Sequence, residues 1–429
     1  MLTRDEAESY IYQSYLKAEK YLRFEDKDAL KRHPRYSKDI LQKLSQTPSI
    51  TITGSKGKGS VAYMISEILQ TKYSVGIMTS PHISDFCERF RINGKHISND
   101  DFIKCVEKIK PYFDKIEQTL APQEYISPIG IQAAVALICF NQNHTEFNVI
   151  EHGKGAKYDD VTNVKHQYSV INTIFLEHTR ELGKTLEEIA KDKVYTITDD
   201  VKIVATAEQK SEILEIIRNQ AEQKKCRLLE YGKDFWAENI KFSKLGMIFD
   251  VATEYNKYKD IKIPLLGIHQ ANNCALAIAI CEQILPEINV SMMKQKLLDL
   301  NWSGRQEIIS SEPFIMLDAC INRINAESVK ETLKNLALSK VVTIIGIPDD
   351  KDFLGVAEVM ADISEKIILT KSSNPHYIFT EMQINTLKQN GIESTYTHSL
   401  LEALNFAKKY NLPVVILGTT SLISDAKSI

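Results

Sequence analysis

The chain has 429 residues, of which 43% are apolar and 25% charged, with a formal net charge of −3 at pH 7. That length predicts two or three domains, and the near-neutral charge gives no basic footprint for nucleic acid. No run of eighteen apolar residues occurs, so we expect no membrane span. The first residues are too polar for a signal peptide, and the seven scattered cysteines predict reduced thiols, which together favour a cytoplasmic protein.

Apolar strand-like runs alternate with helical patterns through the first half of the chain. This alternation predicts βαβ units and a mostly parallel sheet. The predicted strands lie at 49–53, 74–79, 147–151, 168–174 and 201–205. The predicted helices lie at 59–70, 100–119, 129–142, 185–196 and 208–224.

The pattern changes near residue 226 and again near residue 300. Residues 226–264 indicate short strands around a turn, which we interpret as a small antiparallel sheet at the edge of the first domain. Two predicted helices follow, at 269–285 and 291–299. A second alternation then begins, with strands at 314–318, 341–346, 366–370 and 413–417 and helices at 325–338, 376–390 and 400–409.

The fold class that follows is α/β with two domains. We predict that residues 1–299 form an ATP-binding domain of P-loop type, with a mostly parallel central sheet and the small antiparallel sheet. Residues 300–429 are predicted to form a Rossmann-like C-terminal α/β domain, since about 130 residues suffice for an independent unit.

The most informative stretch is Thr51–Ser60, a predicted strand, glycine-rich turn and helix start. Gly54, Gly57 and Gly59 allow backbone N–H groups to converge on phosphate oxygens, and the helix N-terminus favours negative charge. Lys58 could reach the terminal phosphates, and the Ser60 hydroxyl could join a magnesium shell. The spacing differs from the general P-loop, because the first glycine lies only three positions before Gly57 and Gly59 separates Lys58 from Ser60.

Two polar residues follow predicted strands, and a third candidate lies on a predicted helix. Glu151 ends the apolar run 147–150, and His178 follows the run 170–176. Because ligands bind at the carboxyl ends of parallel strands, we expect both beside the P-loop, where they could hold metal ions that bridge nucleotide phosphates. Taken singly, each has an ordinary alternative, a surface carboxylate and a structural histidine. Lys193 lies on the predicted helix 185–196, and by residue type alone it would be a solvated lysine.

Eight short stretches stand in an order that resembles a known family. They are Thr53–Ser60, Ser80–Ile83, Glu88–Ser98, Glu151–Asn163, Glu177–Gly183, Ile189–Thr196, Gly267–Cys274 and Trp302–Arg305. They are similar to the patterns T-G-T-N-G-K-G-S, S-P-H-L, E-R-x-x-I-N-G, E-V-G-x-G-G-R-x-D-A-T-N, D-H-x-x-x-L-G, I-A-x-x-K-A-G-I, G-x-H-Q-x-x-N-A and W-x-G-R of the Mur ligase superfamily, most closely of its folylpolyglutamate synthase/dihydrofolate synthase branch. The fourth match carries one extra residue.

The resemblance implies an ATP-dependent ligase that joins an amino acid such as glutamate to a small-molecule carboxylate, with ATP and Mg²⁺ required. ATP would phosphorylate the carboxylate, and the amine would then attack the acyl phosphate and release ADP and phosphate. By the same resemblance, Ser60, Glu151 and His178 would bind magnesium. Lys193 matches a family lysine that is carbamylated, which would make it a further metal ligand.

The resemblance also assigns residues to the nucleotide. Lys58 would hold the β and γ phosphates, together with the P-loop glycines. Asn273 would contact the adenine, Arg305 the γ-phosphate and Asp318 the ribose. Arg305 and Asp318 belong to the C-terminal domain, so closure of the two domains would complete the site and exclude water. The catalytic residues that the resemblance implies are Lys58, Lys193, His178 and Arg305.

Several positions depart from the family patterns. The family's D-G-A-H-N-P reads Asp318-Ala-Cys-Ile-Asn-Arg323, so Ile321 stands where a histidine is expected and cannot donate a hydrogen bond or a proton. The P-loop's T-N is Ser55-Lys56, the G-G-R stretch has become Lys154-Gly-Ala-Lys157, and A-G-I is Val194-Tyr-Thr196. The changes lie more on the substrate side than on the triphosphate side, which indicates a paralogue with an altered substrate.

Three functions therefore stay open. A folate-type acceptor is favoured because the Ser80-Pro-His82 and Ile92-Asn-Gly94 stretches are retained. The first alternative is a Mur-type ligase that acts on a non-folate acid in a specialised biosynthetic pathway, and the second is a non-catalytic nucleotide-binding paralogue. In each case we expect small-molecule partners, a monomer, and neither nucleic acid nor membrane.

Overall fold

The computed structural model of the protein describes residues 2–21 and 35–429, whose strands form three sheets. The helices are α1 (Arg4–Glu19), α2 (Arg35–Leu44), α3 (Lys58–Leu69), α4 (Asn99–Glu117), α5 (Pro128–Gln142), α6 (Leu186–Lys193), α7 (Ser211–Gln223), α8 (Ile268–Glu282), α9 (Val290–Leu298), α10 (Arg323–Asn335), α11 (Phe353–Ala361), α12 (Met382–Gln389), α13 (Leu400–Ala407) and α14 (Thr420–Ser428). The strands are β1 (Ser49–Thr53), β2 (Val75–Met78), β3 (Phe90–Ile92), β4 (Lys95–His96), β5 (Phe147–Glu151), β6 (Tyr168–Ile171), β7 (Ile203–Thr206), β8 (Arg227–Glu230), β9 (Phe235–Ser243), β10 (Gly246–Thr253), β11 (Lys257–Ile263), β12 (Glu307–Ser311), β13 (Phe314–Asp318), β14 (Val341–Gly346), β15 (Ser364–Leu369), β16 (Ser394–Tyr396) and β17 (Val414–Gly418).

The largest sheet has eight strands in the order β4-β3-β2-β5-β1-β6-β7-β8. From β2 to β8 every pairing is parallel, and only β3 and β4 run antiparallel at one edge. Neighbouring residues of β5 contribute to two different core clusters, Val149 to one and Ile150 to the other, because successive side chains of a strand point to opposite faces. The sheet is therefore covered on both faces, as parallel sheets require.

The helices α3 and α8 form one of those covering layers. Both helices are buried around most of their circumference, because α8 packs on α3 and carries the second sheet on its other side. That second sheet is antiparallel, in the order β11-β10-β9. It confirms the predicted small antiparallel sheet, although the start of the predicted segment forms β8, which extends the large sheet in parallel.

The third sheet uses only residues after 306, in the order β12-β13-β17-β14-β15-β16. Its pairings are parallel except for β12, which lies antiparallel to β13 at the edge. Together the three sheets confirm the predicted α/β class. The division into domains 1–299 and 300–429 stays a prediction.

Several elements were not predicted, and each has a physical reason. The helix α1 carries a weak apolar pattern, and the helices α2, α11 and α14 have only 10, 9 and 9 residues. The edge strands β3, β4, β12 and β16 have 3, 2, 5 and 3 residues, which is too short for a clear alternation.

None of the helices within the described residues is long and apolar enough to cross a bilayer.

Candidate active site

The phosphate loop joins the buried strand β1 to α3. Gly54 has φ +136°, and a Cβ there would lie 2.8 Å from the Asn172 Cβ, so a side chain has neither the conformation nor the space. Gly57 precedes α3 with φ +77°. The Ser55 hydroxyl donates to the Phe175 carbonyl (3.1 Å) and accepts from the Phe175 N–H (3.1 Å), which fixes the loop against the segment after β6. The loop thus places a helix N-terminus, with its unpaired N–H groups, at the carboxyl end of the sheet.

Two ammonium groups converge on one backbone oxygen of this loop. Lys58 Nζ lies 3.1 Å from the Gly54 carbonyl oxygen, and Lys193 Nζ lies 2.8 Å from the same atom. Lys193 is only 1% exposed and also pairs with Glu177 Oε1 at 3.0 Å. Burial lowers the pKa of Lys193 to about 8, and Glu177 partly offsets this. Lys193 is therefore a buried group beside the phosphate loop and not a solvated lysine.

Glu151 lies on the other side of the loop, at the end of β5. Its Oε2 accepts a hydrogen bond from the Ser80 backbone N–H (2.8 Å), and the carboxyl is 3% exposed. Burial raises the pKa of Glu151 to about 7, although the positive charge of Lys58 acts in the opposite direction. A Cβ on Gly59 would lie 3.4 Å from Glu151 Oε2, so the helix start and this carboxylate are near neighbours.

His178 has fewer contacts with the phosphate loop than the sequence predicts. It has φ +45°, its side chain is 46% exposed, and its Nε2 lies 3.8 Å from Glu177 Oε2. Glu177 therefore stands between the imidazole and Lys193. Within residues 2–21 and 35–429, no group of three or more His, Cys, Asp and Glu side chains is arranged to hold a metal ion.

The predicted adenine residue lies in a small buried amide network. Asn273 Oδ1 accepts from Asn172 Nδ2 (3.0 Å), and Asn273 Nδ2 donates to Gln270 Oε1 (3.1 Å). Gln270 Nε2 in turn lies 3.4 Å from the Ser60 hydroxyl. This network connects α8 to the first turn of α3, so Asn273 and Ser60 are held on the same side of the phosphate loop.

The C-terminal sheet delivers Asp318 at the end of β13. Asp318 Oδ2 accepts from the Gln306 N–H (3.0 Å), and Arg305 Nη1 donates to the Gly304 carbonyl (3.0 Å). Burial raises the pKa of Asp318, while the charges of Lys56 and Arg305 lower it. Lys56, which replaces the asparagine of the family's phosphate loop, is thus close enough to Asp318, the predicted ribose residue, for its charge to act on that carboxylate.

Ile321 follows β13, half-buried, just before α10. Asn322 begins that helix, since its Oδ1 accepts from the Asn325 N–H (3.0 Å). Asp352 Oδ2 accepts from the Arg323 N–H (2.9 Å). The segment that carries Ile321 is therefore held firmly at both its helix start and the β14–α11 loop.

A second group of residues near the loop was missed by sequence reasoning. The rings of Trp302 and Tyr63 stack with centroids 4.8 Å apart, and the Arg91 guanidinium lies 5.2 Å from the Trp302 centroid. A Cβ on Gly59 would lie 2.9 Å from Trp302 Cζ2, so the indole packs directly on the phosphate loop. Trp302 belongs to one of the stretches that resemble the family, so its position near the site could be expected. Tyr63 lies in the apolar pattern of a helix, and nothing in the sequence indicates that it stacks on Trp302.

These residues border a cavity of about 350 Å³, here called the Trp302 cleft. It lies between residues 63–96 of the eight-stranded sheet region on one side and residues 301–305 and Lys427 of α14 on the other. Its lining includes Tyr63, Pro81, Ile83, Ser84, Glu88, Arg91, Gly94, His96, Asn301, Trp302, Ser303, Arg305 and Lys427. The Trp302 Nε1 is buried without a hydrogen-bond partner in the described part of the chain.

Comparison with known proteins places this geometry in a family. The Mur ligase middle domain matches residues 52–281. The dihydrofolate synthase/folylpolyglutamate synthase of Bacillus subtilis (strain 168) is 29% identical over 386 residues, which cover 88% of this chain and 89% of that protein.

Solved structures give the same result at the level of the fold. A folylpolyglutamate synthase from Thermotoga maritima superposes with a TM-score of 0.82 and 26% identity, over 97% of this chain and 96% of the other. The folylpolyglutamate synthase of Mycobacterium tuberculosis complexed with ADP and AMPPCP gives a TM-score of 0.86 at 22% identity, over 97% and 98% of the two chains. The chain therefore belongs to the Mur ligase superfamily, in its folylpolyglutamate synthase/dihydrofolate synthase branch of ATP-dependent ligases.

Proposed function

We propose that the protein joins an amino acid such as glutamate to the carboxylate of a folate-type acceptor, through an acyl phosphate, with release of ADP and phosphate. The observation that carries this proposal is the convergence of Lys58, Lys193 and Glu151 at the phosphate loop, directly beside the Trp302 cleft. An ATP site and an acceptor site would then adjoin at the point where a phosphoryl group must pass between them.

The triphosphate would bind at the N-terminus of α3. Backbone N–H groups of the loop and the helix dipole favour phosphate oxygens there. Lys58 Nζ, now 3.1 Å from the Gly54 carbonyl, needs only a side-chain rotation to meet the β and γ phosphates. Asn273 and Asp318 would bind the adenine and the ribose, and Arg305 would neutralise charge on the γ-phosphate as the acyl phosphate forms.

The donor set also fits Mg²⁺. Magnesium in nucleotide sites takes one or two protein carboxylates together with phosphate oxygens and water, so a cluster of three protein ligands is not needed. Glu151 supplies a buried carboxylate whose raised pKa a cation would lower again, and Ser60 supplies a hydroxyl. When bound, Mg²⁺ would neutralise charge on the phosphates. His178 would join only after its ring turns away from Glu177.

The Trp302 cleft has the chemistry for an aromatic acid. The stacked Trp302 and Tyr63 rings give the cleft an apolar aromatic wall. Arg91 and Arg305 offer guanidinium groups for a carboxylate. A planar heterocycle that carries carboxylates, as folate-type acceptors do, would use all of these groups.

The second half-reaction requires a free amine to reach the acyl phosphate while water is kept away. The amine nitrogen would form the new bond to the carbonyl carbon, the bond from that carbon to the phosphate oxygen would break, and the amine would lose a proton. Ile321 cannot accept or donate that proton. The packing of Trp302 on Gly59 would help to exclude water from the acyl phosphate.

Carbamylation of Lys193 stays part of the proposal. Burial lowers the pKa of Lys193 to about 8, which favours the neutral amine that reacts with carbon dioxide. The carbamate would have to exchange the present contacts with the Gly54 carbonyl and Glu177 for contacts with a metal ion. Intact-mass measurement under carbon dioxide should show the added carbamate, and Lys193→Ala should lack it. An unmodified Lys193 in fully active protein would contradict this part.

One assay tests the whole proposal. Purified protein with ATP, Mg²⁺, glutamate and a dihydropteroate or folate acceptor should release ADP and phosphate only when both co-substrates are present. The mass of the product would name the acceptor. Turnover only with a non-folate acid would replace the acceptor, and ATP binding without any turnover would favour the non-catalytic alternative.

A further inference from the structure

Three buried side-chain amides form a chain of hydrogen bonds beside the phosphate loop. They belong to Asn172, Asn273 and Gln270, which are 3%, 5% and 1% exposed, and they are here called the amide chain. Asn172 follows β6, and the other two residues lie on α8. The chain runs from Asn172 to Asn273 (3.0 Å) and from there to Gln270 (3.1 Å), and it ends at the Ser60 hydroxyl (3.4 Å). It therefore reaches from the end of a central strand to the first turn of α3.

The backbone fixes the direction of the amide chain at its first link. The Thr173 N–H donates to Asn172 Oδ1 (2.8 Å), and a backbone N–H can only donate. Asn172 must therefore turn its Nδ2 towards Asn273, whose Oδ1 accepts. Asn273 in turn presents its Nδ2 to Gln270, so each amide is held in one of its two orientations.

The other end of the amide chain imposes no direction. A hydroxyl can both donate and accept, so Ser60 can pair with either end of the Gln270 amide. If Asn273 turned over, Gln270 could turn with it, and Ser60 would donate instead of accept. The orientation of Asn273 is therefore set by Asn172 and not by Gln270.

Asn172 is itself held in place on two sides. Gln209 Nε2 donates to the Asn172 carbonyl (3.1 Å), and Gln209 Oε1 accepts from the Ile174 N–H (3.0 Å). The phosphate loop also packs on the amide chain, since a Cβ on Gly57 would lie 2.6 Å from Asn172 Nδ2 and 3.1 Å from Asn273 Nδ2. The first link of the chain is thus fixed by its own backbone and by contact with the phosphate loop.

Asn273 keeps the hydrogen-bonding groups that suit an adenine base. Its Nδ2 has two hydrogens and its Oδ1 two lone pairs, and the amide chain uses one of each. The remaining N–H and lone pair match one edge of adenine, where the N6 amino group donates and N7 accepts. Hypoxanthine and guanine carry an oxygen, O6, in place of that amino group. With the amide held as it is, Asn273 Oδ1 would meet this oxygen, and no hydrogen bond could form between two acceptors.

We propose that Asn172 sets the base specificity of the nucleotide site, by holding Asn273 in the orientation that accepts adenine and rejects 6-oxopurines. This rests on the proposed function, in which Asn273 binds the adenine. Asn172 is a positioning residue, because it acts through Asn273. None of the eight stretches that resemble the family includes Asn172, so its role follows from contacts that form only in the fold.

The test compares the binding of ADP and inosine diphosphate (IDP), which share ribose and phosphates and differ at position 6 of the base. In Asn172→Asp both side-chain oxygens accept, so Asn273 must turn over and present its Nδ2 to the new carboxylate. Its remaining N–H would then face position 6, where it suits the O6 of IDP. By calorimetry, we expect the wild type to bind ADP about tenfold more tightly than IDP, and Asn172→Asp to lower that ratio at least about fivefold.

Gln270→Glu is the matched control, because it adds the same charge to the same chain. Its carboxylate still accepts from Asn273 Nδ2, so Asn273 keeps its orientation and the ratio of affinities should stay as in the wild type. The added charge acts on ADP and IDP alike and cancels in the ratio. An unchanged ratio in Asn172→Asp, an equal fall in Gln270→Glu, or a wild type that does not discriminate would each overturn the proposal.

A second variant carries the test if the buried carboxylate of Asn172→Asp prevents folding. Asn172→Ala removes the link that directs Asn273, so the amide can turn to suit either base, and the ratio should fall at least about threefold. An unchanged ratio in Asn172→Ala that is folded by circular dichroism refutes the proposal. All of these measurements omit the acceptor and the amino acid, so they support or refute the role of Asn172 whether or not a folate is the acceptor.

Discussion

The Trp302 cleft and the amide chain both adjoin the phosphate loop, but they differ in how they would select a ligand. The cleft combines loops of the large sheet with residues near the C-terminal sheet, and it is lined by stacked rings and guanidinium groups. The amide chain is buried and uncharged, and each of its amides has a fixed orientation. Aromatic and charged groups accept ligands of different outline, whereas an oriented amide accepts one pattern of donors and acceptors.

This difference suggests how such a ligase can change its acceptor and keep its nucleotide. A substitution at an exposed position of the cleft, such as Ser84 or His96, changes the surface that the acceptor meets and leaves the amide chain intact. A substitution in the amide chain leaves a buried amide unpaired or turns its neighbour over. Variation would therefore accumulate more easily at the exposed positions of the cleft.

The largest effect is expected at the phosphate loop, which both regions adjoin. Lys58→Ala should lower kcat between about 10²- and 10³-fold, because it removes the charge that would stabilise the transferring phosphoryl group. The loss should be the same for every acceptor. The control in the same steady-state assay is Lys72→Ala, which changes an exposed lysine three residues after the end of α3. Full activity of Lys58→Ala would remove the lysine from the mechanism.

A smaller effect is expected at the wall of the cleft. Trp302→Ala should raise KM for the acceptor about tenfold, because the stacking surface is lost. The other tryptophan, Trp236, lies in β9 and supplies the control Trp236→Ala. A rise in KM for ATP alone would contradict the role of the indole in acceptor binding.

Ile321→His tests the departure from the family pattern between β13 and α10. Restoring the histidine of the family pattern should lower KM for the amino acid about fivefold, since one added neutral hydrogen bond contributes about 1 kcal/mol. Ile324→His, three residues later and half exposed, keeps the same chemistry outside the site. Equal effects of the two variants would show that Ile321 has no specific role.

The smallest effect concerns the pH dependence of stability at the retained Ser80-Pro-His82 stretch. Arg89 Nε donates to His82 Nδ1 (2.9 Å), so that nitrogen must be unprotonated in the fold. Burial and the Arg89 charge lower the pKa of His82 from 6.5 to about 4. The unfolded chain therefore binds the extra proton first, and stability should fall as the pH drops from about 6.5 towards 4.

We expect His82 to account for less than about 1 kcal/mol of unfolding free energy between pH 7 and 5.5, because the partly exposed ring is screened by solvent. Urea unfolding of His82→Gln should show a shallower pH dependence than the wild type. His376→Gln, which changes an exposed histidine, should leave the wild-type slope unchanged. Identical slopes for His82→Gln and the wild type would contradict the assignment.

The sequence predicted the regular parts of the fold because their patterns are local. The strands 49–53 and 147–151 were predicted with the bounds that the structure gives, since each is a short, continuously buried run. The β3–β4 hairpin was missed although it carries a turn signal. Asn93 and Gly94 have φ +48° and +79°, as the Asn-Gly pair of a tight hairpin requires, but the strands around them are only three and two residues long.

The site was predicted in its residue types more than in its contacts. Residue type alone made Lys193 a solvated lysine, because burial of an ammonium group depends on a partner such as Glu177 that is close only in the fold. The contact of Asn172 with Asn273 has the same character, as no periodicity links positions 101 apart. The roles of Glu151, His178, Asn273 and Arg305 toward bound ligands stay predictions.

The position of Trp302 gives the protein an optical reporter. The chain has two tryptophans, one partly exposed in β9 and one that stacks on Tyr63 and lies near Arg91 beside the phosphate loop. In a Trp236→Phe background, fluorescence would come from the cleft alone. A ligand that enters the Trp302 cleft would change the surroundings of the indole and therefore its emission, so the occupancy of the cleft could be followed in real time without a label.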